Sequence, residues 1–253
     1  MKNLMKDKLS ENQSVIGCFI SFYCAPLVEI IGYSGYDFII IDDEHGAFSY
    51  SEISEMVRVA KMVNITPIVR VSYDKSAIQK VFDQGAHGVQ VPMVNNAKEA
   101  EAIVKKTKYP PIGNRGVSYS IPSANYGFKK GRELLEETNA NSFIAIQIET
   151  QRAVENFDEI LDVPGIDIVF IGTTDLSVDM GYDSPNHHEM KKLVEMLFQK
   201  GKKKGMKIGI VASDNDTVMT TLSLGADYIA VVTNSVIKDS LKNIIDNIEM
   251  KKQ

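Results

Sequence analysis

Apolar positions along the chain fall into two alternating rhythms. Short β-rich runs occupy Val15–Ile20, Phe38–Ile41, Pro67–Val71, Gly88–Val91, Phe143–Ile148, Ile168–Ile171, Lys207–Val211 and Tyr228–Val232. Between them lie stretches with helical spacing: Tyr50–Val63, Ser76–Gln84, Ala97–Lys106, Thr150–Ile160, His188–Lys204, Asp216–Leu224 and Ser235–Met250. Gly35, Asn64, Gly85, Gly165, Gly205 and Gly225 punctuate helix-to-strand turns, where a left-handed cap is expected. Eight strand–helix units in 253 residues predict an α/β fold, a TIM (β/α)8 barrel forming a single domain over residues 1–253. A doubly wound sheet is the alternative. It would show fewer strands and a glycine-rich phosphate loop after the first one, whereas the first strand here runs into Ser21, Phe22, Tyr23, Cys24, Ala25 and Pro26. No G-x-G-x-x-G or P-loop pattern occurs. One insertion, residues 109–140, breaks the rhythm, and its length points to a lid or a subunit contact.

Composition narrows the function classes. A formal net charge of −5 with scattered basic residues argues against nucleic acid or an anionic membrane as partner. The densest basic run, Lys202–Lys204, falls at an expected helix end, where cations favour the dipole. No apolar stretch approaches the roughly 20 residues of a membrane span, and Met1–Glu11 has no signal-peptide pattern. The two cysteines, Cys18 and Cys24, lack zinc-site spacing; together these features lead to the expectation of a cytoplasmic enzyme with reduced thiols.

The chemistry collects where strands end. Phe38–Ile41 is wholly apolar and hands over abruptly to Asp42, Asp43, Glu44 and His45, a crowding of like charge that a core does not require. The third strand ends near Arg70, the fourth carries Gln90, and the fifth carries Gln147 and Glu149 on one face. After the sixth come Gly172, Thr173, Thr174 and Asp175, and after the eighth Thr233 and Asn234. In a barrel all of these meet at the C-terminal mouth. Glu149 and Asp175 could share a hard divalent cation, Mg2+ or Mn2+, with water completing the shell. A metal-free acid–base pair, as in glycoside hydrolysis, and a structural ion pair are the other uses of such carboxylates. Arg70 can present a planar fork to an oxyanion, and the backbone N–H groups of Gly172–Leu176 can receive a carboxylate. Together with a metal these suit a 2-oxo acid, with His45 as proton-transfer group and Asp42 orienting its ring. His87 reads as a turn residue, and His187 and His188 as a solvent-facing helix start.

The segments IIIDDEHGAFS (Ile39–Ser49), PIVRV (Pro67–Val71), GVQVPMVNNAKEA (Gly88–Ala100), YPPIGNRGV (Tyr109–Val117), IQIET (Ile146–Thr150) and IGTTDLSVDMG (Ile171–Gly181) resemble the HpcH/HpaI family of metal-dependent class II aldolases. The resemblance spans nearly the whole chain. It implies reversible aldol cleavage of a 4-hydroxy-2-oxo acid to pyruvate and an aldehyde through a metal-stabilised enolate. Implied with it are Glu149 and Asp175 as metal ligands, Arg70 on the oxo group, His45 with Asp42 in proton transfer, and Gln147 and the 173–175 backbone beside the substrate. It also implies a homo-oligomer, a dimer-built hexamer, whose C-terminal helix is exchanged between subunits. Asp43 and Thr173 depart from the glycine and proline common in the family, and Val231-Val232-Thr233-Asn234 replaces its glycine-then-aspartate strand end. A siderophore-associated citrate synthase is similar to this same family, so condensation of oxaloacetate with acetyl-CoA is the alternative activity. A non-catalytic barrel subunit is a minor one, disfavoured because His45, Arg70 and both metal carboxylates are present.

Overall fold

The structure, a computed structural model, describes residues 3–72, 74 and 76–250. Its strands are β1 (Val15–Ile20), β2 (Phe38–Asp42), β3 (Thr66–Arg70), β4 (Gly88–Val91), β5 (Phe143–Ile148), β6 (Ile168–Ile171), β7 (Ile208–Ala212) and β8 (Tyr228–Val232). Each pairs in parallel with the next, and β8 pairs back onto β1 to close the barrel. Strands buried on both faces read as continuous apolar runs, and β2 shows why. Ile39 and Ile41 pack outward in the same core as Ile53, Met56, Val57 and Ala60 of the flanking helix, while Phe38 and Ile40 fill the barrel interior. Asp42, next on the inward face, is where that interior meets the mouth.

The surrounding helices are α1 (Leu4–Ser10), α2 (Ala25–Tyr33), α3 (Tyr50–Met62), α4 (Ala77–Asp83), α5 (Ala97–Thr107), α6 (Arg132–Asn141), α7 (Gln151–Glu155), α8 (Phe157–Leu161), α9 (Thr173–Asp179), α10 (His188–Lys203), α11 (Asn215–Leu224) and α12 (Thr233–Met250). The glycines and the asparagine expected at caps all have positive φ, including Asn64 at 59° and Gly225 at 82°. Ser49 and Glu52 close a capping box that fixes the start of α3 just after the charged segment of β2.

Several elements, the short helix α2 among them, differ from the sequence pattern. The helix expected over Thr150–Ile160 is two short helices, α7 and α8, meeting at Asn156, whose Nδ2 donates to the Asn95 backbone oxygen at 2.8 Å. The insertion is ordered rather than a bare loop, with a 3-10 segment at Pro122–Gly127 followed by α6. It runs from the end of α5 to the start of β5, so it packs at the N-terminal floor of its own barrel. There Lys108 Nζ donates to the Asn139 and Ser142 backbone oxygens, and the Asn139 side chain pairs with the Tyr109 backbone in both directions. Finally, α1 plugs that floor: Met5 and Leu9, one turn apart, are buried with Val15, Phe38, Ile68, Phe143 and Tyr228. The Phe38 and Tyr228 rings stack with centroids 4.2 Å apart.

Candidate active site at the barrel mouth

The β2–β3 register sets Asp42 directly opposite Arg70. Their inward side chains therefore meet, and the guanidinium donates from Nε to Asp42 Oδ1 and from Nη2 to Oδ2, each at 2.7 Å. Nη1 lies 3.1 Å from Glu44 Oε2. Burial alone would lower the pKa of Arg70, but the Asp42 carboxylate, with help from Glu44, holds it above the ordinary value. The underside of the fork rests on Phe19, 4.9 Å from the ring centroid. Three of the five guanidinium N–H groups are engaged by these carboxylates, which leaves one on each Nη for a ligand.

This arrangement changes the job expected of Asp42. Its carboxylate serves Arg70, and its contact with His45 is to the backbone N–H at 3.4 Å. The His45 ring stands exposed at the rim with Nε2 3.8 Å from Glu44 Oε2. The reason is the register, which makes Arg70 the immediate neighbour of Asp42 whereas His45 lies beyond the end of β2. Asp43 turns away from the pocket: its backbone N–H donates to the Arg70 oxygen at 2.9 Å, and its carboxyl bonds to Ser72, with burial pushing its pKa up.

On the far wall Glu149 is 2 % exposed. Oε1 accepts from the Met93 backbone N–H at 2.6 Å, and Oε2 accepts from Gln147 Nε2 at 2.5 Å. Burial raises its pKa, and the nearby charges of Glu44 and Asp175 add to the effect. Gly172 faces it so closely that a Cβ there would lie 2.7 Å from Oε2, so any larger residue would push the carboxylate aside. The site thus contains a buried carboxylate that accumulates like charge and a second carboxylate in Asp175. That donor set fits a hard divalent cation with water and substrate oxygens in the remaining positions. Among the described residues no cluster of three or more His, Cys, Asp or Glu side chains could hold a metal.

The pocket enclosed by these groups has a volume of about 290 Å3. Asp42, His45, Arg70, Gln147, Glu149 and Gly172–Asp175 all border it, as does Asn234, whereas Asp43 and Thr233 do not. At Thr173–Asp175 the chain enters the first turn of α9, where the backbone N–H groups precede the first intrahelical bond, given by Leu176 to Gly172 at 3.0 Å. Phe19, Phe170, Val211 and Val232 give the pocket an apolar side that the polar motifs did not announce. Glu44 also proves part of the site, through Arg70. So does Gln90, which is fully buried beneath the mouth. Gln90 Nε2 donates to Gln147 Oε1 at 2.6 Å, while Gln90 Oε1 accepts from the Tyr228 hydroxyl at 3.3 Å. With the Gln147–Glu149 bond this forms one line of hydrogen bonds from the barrel core to Glu149. Each amide is fixed in orientation because its neighbour accepts only one polarity.

Known proteins resemble this chain along most of its length. Residues 15–237 match the family described as HpcH/HpaI aldolase/citrate lyase. The 2-keto-3-deoxy-L-rhamnonate aldolase of Escherichia coli (strain K12) is 33% identical over 240 residues, covering 94% of this chain and 89% of that protein. The crystal structure of the HpcH/HpaI aldolase from Desulfitobacterium hafniense DCB-2 superimposes with a TM-score of 0.88 at 31% identity, with 96% of each chain covered. That of citrate synthase SbnG does so with a TM-score of 0.86 at 27% identity over 98% of each chain. The chain belongs to the HpcH/HpaI aldolase/citrate lyase family, a class II, metal-dependent aldolase family, and is accordingly a carbon–carbon lyase of its 2-oxo acid chemistry.

Proposed function

We propose that this protein reversibly cleaves a 4-hydroxy-2-oxo acid to pyruvate and an aldehyde, with Mg2+ or Mn2+ held by Glu149 and Asp175. The observation that carries the reading is the facing of two charge systems across one pocket: an arginine fork fixed by two carboxylates, and a buried carboxylate of raised pKa beside Asp175. The cation, when bound, supplies Lewis-acid polarisation of the 2-oxo group. The chain's own residues do the rest. The N–H groups of residues 173–175 receive the substrate carboxylate, and the free Arg70 N–H groups face the 2-oxo oxygen as it takes on negative charge. Gln147 borders the same pocket, its amide fixed by Glu149 and Gln90. His45, at the rim, takes the proton of the 4-hydroxyl as the C3–C4 bond breaks. The electron pair of that bond passes to the enolate, and the proton that His45 took returns to C3 to give pyruvate. Phe19 and Phe170 line the same pocket and would keep water from that carbon. Pyruvate release should require Mg2+ or Mn2+ and stop on addition of a chelator; release that is indifferent to the chelator would remove the metal from the reading.

A second reading is supported by the likeness to citrate synthase SbnG over the full chain. The same arginine and amide groups would bind oxaloacetate as electrophile, with acetyl-CoA supplying the attacking carbon. Free CoA thiol formed from that pair of substrates is its signature.

We also infer a homo-oligomer, a dimer-built hexamer, in which α12 is exchanged between subunits. Supporting this, Ile237, Leu241, Ile244, Ile245 and Ile248 follow helical spacing on α12 and are all exposed in the single chain. The insertion at residues 109–140 would then meet a neighbouring subunit. Light scattering should give a mass several times 28.1 kDa; a monomer would contradict the exchange.

A further inference from the structure

A second cavity lies at the opposite end of the barrel, between the floor and the insertion, with a volume of about 110 Å3. Lys61, from the last turn of α3, Arg115 and Lys129, from the insertion, and His87, which immediately precedes β4, all border it. Two carboxylates answer the cations. Asp83 accepts from Arg115 Nη2 at 2.6 Å, and Glu137 lies 3.5 Å from Lys129 Nζ. Among the described side chains, three formal positive charges therefore meet two negative ones.

Arg115 is built into place. Its side chain is 1% exposed, and its guanidinium lies 5.0 Å from the Phe82 ring centroid and 4.6 Å from that of Tyr109. Yet among the described residues its Nε and Nη1 have no hydrogen-bond partner, and neither does His87 Nε2. Lys61 has no ion pair among the described residues, and burial draws its pKa down to about 8. Buried donors without partners are rare in native structures, and a charged one is the costliest kind. Water would satisfy the donors one at a time but leave the excess charge unmatched. An oxyanion satisfies both, because its several acceptor oxygens can take N–H groups from different walls at once. The volume is about that of three or four liquid waters, room for one tetrahedral oxyanion.

We propose that this floor cavity is a binding site for a phosphate group, held by Arg115 with Lys61 and His87, on the face of the barrel opposite the catalytic mouth. Such a ligand would bridge the insertion to α3 and to the start of β4. It would therefore stabilise the fold without touching the reacting atoms.

The test is calorimetric titration of inorganic phosphate into the full chain, in low-ionic-strength chloride buffer so that screening does not hide it. Thermal unfolding is followed in parallel. The expected result is saturable single-site binding with a rise in Tm. Lys61→Gln, at a partly exposed helix end, should weaken the affinity by about 10-fold or more, the size of one charged hydrogen bond, and leave pyruvate release unchanged. Arg115→Lys should weaken it as well by removing the planar fork. A phosphate monoester that binds more tightly than inorganic phosphate identifies the site as a metabolite headgroup site, and the reverse order identifies a free-anion site. Absence of saturable binding, binding unaltered by Lys61→Gln, or phosphate displaced by pyruvate would each overturn the proposal, the last by placing the anion at the mouth.

Discussion

Along β5 the inward residues run Phe143, Ala145 and Gln147, followed by Glu149 just past its end, so one strand passes from a dry floor to a charged mouth. At the floor Phe143 and Tyr228 stack with centroids 5.8 Å apart, and α1 closes the end with Met5 and Leu9. At the mouth Glu149 is buried under conditions that work against its charge. The floor is where burial stabilises the barrel; the mouth is where stability is given up to hold charge in place for a reaction. The two ends should therefore respond to mutation in opposite ways.

The sharpest separation is expected from Glu149→Gln. Turnover should fall by about 10^2–10^3-fold or more, while Tm holds or rises, because the neutral amide no longer suffers the burial that raises the carboxylate pKa. A variant that both unfolds and retains turnover would erase the distinction between the ends. Phe143→Ala should do the converse, costing about 3–5 kcal/mol in denaturant unfolding while the folded fraction keeps its kcat. Gln90→Leu lies between the layers and should affect both. Leaving Gln147 and Tyr228 without a partner should cost about 1–3 kcal/mol and weaken Mn2+ binding measured by calorimetry, because Gln147 would be free to rotate away from Glu149. Unchanged Mn2+ affinity would make Gln90 a packing residue only.

At neutral pH the smallest effect belongs to His87, at the floor end of β4. Burial, with Lys61 nearby, draws its pKa from 6.5 to about 3. Below pH 6.5 the unfolded chain binds a proton that the folded chain refuses, so stability should decline as pH falls from 6.5 towards 3. His87→Asn should flatten that part of the acid unfolding curve measured by circular dichroism. An unchanged curve would mean that His87 takes up its proton in the folded state.

Much of this division was legible in the sequence. The β2 run FIIID states it directly, since two-faced burial needs an apolar residue at each position until the strand reaches the mouth. The carboxylate, arginine and imidazole positions followed from the same strand-end logic, and the structure gathers Asp42, His45, Arg70, Glu149 and Asp175 into one pocket. What could not be read is how they pair. Asp42 was expected to orient His45, but the inter-strand register gives it to Arg70, and register is a property of two strands rather than of either alone. The Gln90–Gln147 bond escaped notice for the same reason, although Gln90 itself stood out at the end of the fourth strand. The short helices α1 and α2 were unread because each buries only two apolar side chains, too few to set up a period. The asparagine cap at Asn3 with Met5 and Leu9 one turn apart was the available signal for α1.

The central claim, that the mouth holds a metal-dependent carbon–carbon lyase of pyruvate chemistry, is tested most directly by assaying one preparation for two products. A 4-hydroxy-2-oxo acid is supplied in one reaction, and oxaloacetate with acetyl-CoA in the other, each with Mn2+ and again with chelator. The account predicts pyruvate in the first reaction, lost on chelation, and no CoA thiol in the second. Thiol release with no pyruvate from any candidate aldol, metal being present, would contradict it.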